Sequence, residues 1–149
     1  MKLFQIEEPD GSPTDAAEGP GAAVGIDIAP GGIGRVAIAV GGNGEILPDA
    51  DGERTLRTRD LTDLLLGLRS RAEKQLARPV THAVIAADNA ERVGLAAAAA
   101  AAELTVLRVI ERRAAAALAA RAAPEEAAVL GAAISAEEIA PAQSSTGKA

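Results

Sequence analysis

The stretch AAVGIDIAPGGIGRVAIAVGGNGEILP, residues 22–48, decides the fold predicted for this chain. It holds three short apolar segments, separated by glycine-rich breaks, at 22–29, 35–40 and 45–48. Segments with β-branched residues that are bounded by Gly and Pro are typical of strands. Because a parallel crossover needs a dozen residues or more, connections this short predict adjacent antiparallel strands. The stretch therefore predicts a three-stranded meander.

The spacing of apolar residues changes after residue 60. Apolar side chains then recur at helical intervals, opposite charged ones, at Leu61, Leu65, Leu68, Ala72 and Leu76. We expect an amphipathic helix that Asp60 or Thr58 caps and that Pro79 ends.

The following residues alternate between strands and helices. Apolar segments at 80–86 and 105–110 predict two more strands, the first of them buried on both faces as in a parallel sheet. Three helices are expected, over 89–103, 112–122 and 124–134. The order is β-β-β-α-β-α-β-α-α, which is the order of a ribonuclease-H-like module. The predicted fold is therefore α/β, with a five-stranded mixed sheet and helices on both faces.

The length of 149 residues fits one domain. Residues 7–21 are rich in Pro, Gly and acidic side chains, so residues 1–21 are expected to form a flexible N-terminal arm. The small polar residues of 141–149 predict a disordered tail. The ordered domain is expected over 22–140.

Composition excludes several classes of function. With 15 Lys and Arg against 21 Asp and Glu, the net charge of −6 argues against a nucleic-acid clamp. The absence of Cys excludes thiolate chemistry, and the single histidine, His82, excludes a multi-histidine metal site. No apolar run approaches the length of a membrane helix, and the beginning of the chain lacks the pattern of a signal peptide. We expect a cytoplasmic protein with no membrane or nucleic-acid partner.

Several segments of the chain resemble one known family, in the order in which that family has them. The N-terminal MKLFQIEEPDGSP is followed by AAVGIDIA, and later come ELTVLRVIERRAAAALA and APEEAAVLGAAISAEEIA. These segments resemble the HscA branch of the DnaK-type heat-shock chaperones, in which a similar leader precedes a GIDLGTTNS-type phosphate loop. The resemblance covers nearly the whole chain and implies an actin-like ATPase lobe, which has the ribonuclease-H-like topology.

The resemblance also implies cofactors and the residues that contact them. Asp27 matches the aspartate that holds a hydrated magnesium ion beneath the phosphates of ATP. In the altered loop APGGIGR, the backbone N–H groups of Gly31, Gly32 and Gly34 are candidates to contact phosphate. Gly131 lies in the segment that matches the end of the family's nucleotide-binding domain, and it joins the candidate cofactor-binding residues on that ground.

The departures from the family imply that ATP hydrolysis is lost. The same alignment puts Arg112 at the position of the family's catalytic glutamate, with Arg113 and Ala114 in place of proline and threonine. A cation there removes the carboxylate that orients the attacking water. The second phosphate loop, the second lobe and the peptide-binding domain have no counterpart in these 149 residues, so no chaperone cycle is expected.

The leading expectation is a truncated, degenerate relative of these chaperones without competent ATP hydrolysis. It would bind or regulate a protein partner, a cluster-assembly protein or a co-chaperone, in iron–sulfur-cluster assembly or protein folding. A sheet face left uncovered by the missing lobe favours self-association. The alternative is a residual ATP-binding lobe that is active only with a partner.

A second enzyme class fits the same topology. Ribonuclease-H-like nucleases hold metal ions with carboxylates at positions near Asp27, Asp88 and Glu125 or Glu126. The acidic composition opposes this alternative, and Asp88 with Glu91 is better explained as a capping box for the helix at 89–103.

Two other groups of side chains have simple interpretations. His82 lies between apolar residues of a predicted strand and is expected to be a structural residue. A cluster of cations at the start of an alanine-rich helix could bind an acidic partner or phosphate, but a solvated face is favoured: Arg108, Arg112 and Arg113.

Overall fold

The computed structural model describes residues 21–148, and the side chains of residues 21–140. The predicted N-terminal arm, apart from Gly21, lies outside the described residues. Among the described residues, six strands form one mixed sheet: β1 (Ala22–Ala29), β2 (Ile33–Val40), β3 (Asn43–Ile46), β4 (Leu56–Arg57), β5 (Val80–Ala87) and β6 (Thr105–Ile110). The order across the sheet is β3-β2-β1-β5-β6, and β4 pairs with β2.

The strand directions follow the sequence-based expectation. β1, β2 and β3 pair antiparallel, so the predicted meander is confirmed. β1, β5 and β6 pair parallel, and β5 is buried on both faces over its second half, as the apolar segment at 80–86 indicated. The chain is therefore α/β with a mixed sheet.

The prediction of five strands was wrong, because the two-residue strand β4 adds a sixth. β4 pairs with β2 where Ile33 lies opposite Arg57. Just beyond it, the Thr58 N–H donates to the Gly32 carbonyl at 3.0 Å. Two residues carry no periodicity that sequence reasoning can detect, so only the tertiary pairing reveals this strand.

Within residues 21–148, four α-helices accompany the sheet: α1 (Leu61–Leu76), α2 (Leu95–Ala101), α3 (Arg112–Ala117) and α4 (Pro124–Lys148). α1 follows the prediction closely. The Asp60 carboxylate accepts a hydrogen bond from the Asp63 N–H at 2.9 Å, which confirms it as the N-cap. The helix ends at Leu76, and its C-cap Ala77 has a left-handed backbone two residues before Pro79.

The helix expected over 89–103 is broken. A single 3₁₀ turn, Asn89–Arg92, is followed by Gly94 with φ of 76°, and only then does α2 begin. Asp88 makes no side-chain capping bond to this turn, so the predicted capping box with Glu91 was wrong. A left-handed glycine interrupts the i to i+4 ladder that the alanine-rich composition favoured.

The last two helices also differ from their predicted bounds. α3 ends at Ala117 rather than at residue 122, because the N–H groups of Leu118 and Ala119 bond carbonyls three residues back, which tightens the chain before Pro124. α4 was expected to end at residue 134 but continues to Lys148. Its backbone is therefore helical through 141–148, where a disordered tail was predicted. Once a helix has formed, each further residue adds one hydrogen bond, which favours such continuation.

Helices cover both faces of the sheet, as expected. On one face α1 and α2 pack against Val24, Ile26 and Ile85. On the other, α3 and α4 pack against Val84 and Ala86, and α4 also covers the meander. Because strand side chains alternate between faces, residues next to one another on β1 and β5 contribute to different helix layers. Among the described residues, none of the helices is long and apolar enough to cross a bilayer.

Candidate functional site

Asp27 lies near the end of β1 and is fully buried. Its neighbours Ile26 and Ile28 point into the α1 and α2 layer, so the Asp27 carboxylate faces the layer of α3 and α4. A buried carboxylate is costly unless it is paired. The strand end where sequence reasoning placed a magnesium-holding group therefore requires a positive partner.

That partner is Arg112, the first residue of α3. Its Nε donates to Asp27 Oδ1 at 2.7 Å and its Nη2 donates to Oδ2 at 3.0 Å, so the pair is bidentate. The hydrogen bond and the charge of Asp27 raise the pKa of Arg112, with smaller contributions from the charges of Asp88 and Glu91, while partial burial opposes them. Two parallel N–H to oxygen bonds fix both the distance and the orientation of the groups.

Arg35 adds a second guanidinium. It lies directly opposite Asp27 in the antiparallel pairing of β1 with β2, and its Nη1 is 3.8 Å from Asp27 Oδ2. Both oxygens of the carboxylate thus face cations that belong to the chain. A hydrated magnesium ion would have to displace Arg112 and would be repelled by both guanidinium groups. The residues present do not fit the magnesium ion that the resemblance implies at Asp27.

Asp88 also contacts this group of charged side chains, by a hydrogen bond to the backbone of Arg112. Its Oδ1 accepts a hydrogen bond from the Arg112 backbone N–H at 3.0 Å, at the start of α3. Asp88 therefore caps α3, 24 residues further along the chain, rather than the helix that follows it directly. A carboxylate at a helix N-terminus is also favoured by the helix dipole.

The carboxylates of the nuclease alternative do not come together. Asp27 is bound by Arg112, and Glu126 pairs with Arg54 at 3.2 Å. Glu125 is exposed on the first turn of α4. Within the described part of the chain, no group of three or more acidic or histidine side chains is placed to hold a metal ion.

The three loop glycines serve the hairpin and the core. Gly31 and Gly32 have φ of 86° and 74°, which the turn between β1 and β2 requires. A Cβ on Gly32 would collide with the Thr58 carbonyl oxygen, and one on Gly34 would lie 2.7 Å from Leu68 Cδ1. Gly32 and Gly34 are therefore needed for close packing against Thr58, just beyond β4, and against α1, whereas Gly31 is open to solvent.

Gly131 lies where α4 crosses α3. A Cβ there would overlap the backbone carbonyl of Ala115 on α3. Gly25 has the same role on β1, because its Cβ would overlap the backbone of Ala133 on α4. This close contact between the two helices is a packing reason for glycine at position 131.

His82 and the other two arginines follow the simpler interpretations. His82 Nδ1 is 2.7 Å from the Thr81 hydroxyl on β5, and its ring is half-buried. Arg108 on β6 and Arg113 on α3 are exposed, as a solvated face predicts. Of these three arginines, only Arg112 is partly buried and paired with Asp27.

Sequence reasoning missed the pairing of Asp27, although one signal was present. A hairpin centred on Gly31 places residue 35 opposite residue 27, so the turn position already predicts an arginine beside the buried acid. The bidentate bond from Arg112 had no such local signal.

Sequence reasoning also missed a pair of hydrogen bonds between α4 and the tip of the β2–β3 hairpin. The Gly41 N–H and the Gly42 N–H donate to the two carboxylate oxygens of Glu137, at 2.5 and 2.8 Å. Both glycines have positive φ, which turns their N–H groups to the same side. One carboxylate therefore fixes the hairpin to the helix.

No protein-family model matches the sequence, and no curated protein matches it significantly.

Proposed function

We propose that this chain is a degenerate relative of the HscA branch of the DnaK-type chaperones, a lobe of actin-like, ribonuclease-H-like topology that does not hydrolyse ATP. The strand order β3-β2-β1-β5-β6, antiparallel up to β1 and parallel beyond it, supports this topology. The helices on both faces agree with it.

The observation that carries the proposal is the bidentate pair of Asp27 and Arg112. The carboxylate that would hold magnesium instead holds a guanidinium, and that guanidinium belongs to the residue at the position of the family's catalytic glutamate. One substitution thus removes the water-orienting group and neutralises the metal-holding group. A lobe without these two groups would keep only a binding role.

Binding and hydrolysis of ATP provide the first test. We expect the protein to show no micromolar binding of magnesium-ATP in calorimetry and no turnover. Micromolar binding that disappears in a folded Asp27→Asn variant would contradict the proposal. Turnover that appears only when a co-chaperone is added would establish the alternative, a lobe active only with a partner.

The charge at residue 112 provides a positive test. Arg112→Glu places a second carboxylate beside Asp27, and two adjacent carboxylates attract a divalent cation. Magnesium should therefore raise the Tm of Arg112→Glu. Magnesium should not change the Tm of Arg113→Glu, in which the exposed neighbouring residue undergoes the same change of charge. An equal rise in Tm of both variants on adding magnesium would show that magnesium does not act at Asp27.

The role in iron–sulfur-cluster assembly or protein folding rests on the family resemblance. It is tested by calorimetry with a cluster-assembly scaffold protein and with a co-chaperone of the family. Micromolar binding to either of them supports the role, and binding to neither contradicts it.

A further inference from the structure

An open apolar groove lies between α2 and β6, the last strand in the sheet order. Its volume is about 470 Å³, which is in the range of pockets that hold small molecules, about 300–1,000 Å³. Seven apolar residues and Arg92 line it within the described part of the chain, and the apolar ones include Leu95, Ala96, Val106 and Val109. The two valines pack against the core but are only half-buried, so the groove keeps apolar surface in contact with water.

Arg92 brings one positive charge to this groove. It ends the 3₁₀ turn before α2, and its Nε donates to the Ala87 carbonyl oxygen at 2.9 Å, which holds the guanidinium in place. Among the described residues, no carboxylate forms an ion pair with Arg92, and no other charged side chain lines the groove. The charge of its neighbour Glu91 instead helps to raise the pKa of Arg112. The terminal nitrogen atoms of Arg92 can therefore hold a carboxylate in a bidentate pair.

We propose that the groove binds a medium-chain fatty acid, with its carboxylate paired to Arg92 and its alkyl chain along the apolar walls. Such a ligand has one negative charge at one end and no other polar group. It therefore matches a groove that has one cation and whose other lining residues are all apolar, because neither partner leaves a polar side chain buried without a bond. The proposal does not depend on the chaperone resemblance or on the site at Asp27.

The size and the edge of the groove favour a small molecule over a second copy of the chain. α2 has seven residues and therefore extends over only about 10 Å. A stable protein interface buries about 800 Å² on each partner, far more surface than a groove of this length presents. The edge of β6 is also irregular, because its register against β5 shifts after Val106 and leaves Leu107 without a partner on β5. Such a bulge hinders the addition of another strand.

Calorimetry with octanoate and decanoate, each below its micelle-forming concentration, tests the proposal on the unsubstituted 149-residue chain. We expect saturable binding of either acid to one site. Decanoate should bind about fifteenfold more tightly than octanoate, because each additional buried methylene tightens binding by about a factor of four. Absence of saturable decanoate binding, or equal affinity for the two acids, would overturn the proposal.

The place of the alkyl chain is tested by two neighbouring alanines of α2. Ala96 lines the groove, whereas Ala97 is also exposed but does not line it. Ala96→Glu places a carboxylate among the apolar walls, and we expect decanoate to bind at least about tenfold more weakly because like charges repel. Ala97→Glu should bind decanoate as tightly as the unsubstituted chain does. Equal affinities of the two variants would place the ligand elsewhere and overturn the proposal.

The place of the carboxylate is tested by comparing octanoate with octanol, which has the same chain and no charge. The unsubstituted chain should prefer octanoate by about tenfold, since hydrogen bonds to charged groups stabilise more than neutral ones. Arg92→Gln should lose this preference and still bind octanol, while Arg113→Gln, at an exposed arginine outside the groove, should keep it. An unchanged preference in Arg92→Gln, or loss of octanol binding as well, would contradict the pairing of the carboxylate with Arg92.

Other occupants of the groove would be recognised with the same variants. Binding to vesicles of anionic phospholipid without binding to decanoate would assign the groove to a lipid surface. A dimer in light scattering that Ala96→Glu dissociates and Ala97→Glu does not, again without decanoate binding, would assign it to a second copy of the chain. Either result would overturn the proposal.

Discussion

Asp27 and Arg112 are 85 residues apart in the sequence, yet they form the bidentate ion pair that ties β1 to the first turn of α3. Asp27 is fully buried, while about a quarter of the Arg112 side chain is exposed. The exposed part lets the guanidinium keep some of its hydration, which lowers the desolvation cost of the pair. Asp88, bound to the backbone N–H of the same arginine, fixes where α3 begins.

Removing Arg112 should destabilise the fold. Arg112→Ala leaves Asp27 buried with only Arg35 nearby, at 3.8 Å, and we expect the free energy of unfolding to fall by about 3 kcal/mol. Urea denaturation measures it. The exposed neighbour is the control, since Arg113→Ala should change the stability by less than about 0.5 kcal/mol. Similar losses in the two variants would mean that the pair is not what stabilises this end of β1.

Gly131→Ala should weaken the protein in the absence of any ligand. The added Cβ overlaps the Ala115 carbonyl, so α3 and α4 must move apart, at a cost of about 1–3 kcal/mol by thermal or urea unfolding. Gly67→Ala, on α1, meets only the tip of the Leu56 side chain and gains helix propensity, so it should be neutral or stabilising. A stable Gly131→Ala protein would return Gly131 to the candidate ligand contacts.

Glu137→Ala should loosen the β2–β3 hairpin. The variant loses two charge-assisted hydrogen bonds to the N–H groups of Gly41 and Gly42, and we expect a loss of about 1.5 kcal/mol because the site is exposed. Hydrogen exchange at these two amides should become faster. Glu138→Ala changes the neighbouring exposed acid and should leave both amides as protected as before.

The stability should depend on Asp49 at acidic pH. The N–H of Glu53, with that of Asp51 and the charge of Arg71, holds the pKa of Asp49 below its usual 3.8. Because the folded-state pKa is the lower one, this contribution is complete above pH 3.8 and is lost as the pH falls through the folded-state value. Between pH 7 and pH 3 the protein should therefore lose more stability in urea denaturation than Asp49→Asn does. Parallel pH profiles would contradict this.

Much of the fold could be predicted from local patterns. The meander followed from glycine-rich breaks too short for a crossover, and the amphipathic period of residues 61–76 predicted α1 with its cap at Asp60. The break in the helix at 89–103 could not be predicted in this way, because alanine-rich composition favours an unbroken helix and Gly94 alone does not show which backbone region it adopts.

The candidate site was predicted only in part. Asp27 was predicted to lie at the end of the first strand, where the structure places it, and Arg112 was singled out only through the resemblance to the chaperone family. That these two residues bind each other did not follow from either observation. The assignment of Gly32, Gly34 and Gly131 to a ligand stays a prediction, because glycine patterns look the same whether a phosphate, a neighbouring strand or a helix approaches the backbone.

The sequence by itself determined the strand directions, the α/β class and the acid on β1, because periodicity and loop length act between neighbouring residues. Only the tertiary structure decided that a guanidinium, rather than a metal ion, faces that acid. The choice depends on how the sheet order and the start of α3 bring residues 27 and 112 to bonding distance. Burial then makes the pairing obligatory, because an unpaired carboxylate inside the protein costs more than any local preference can offset.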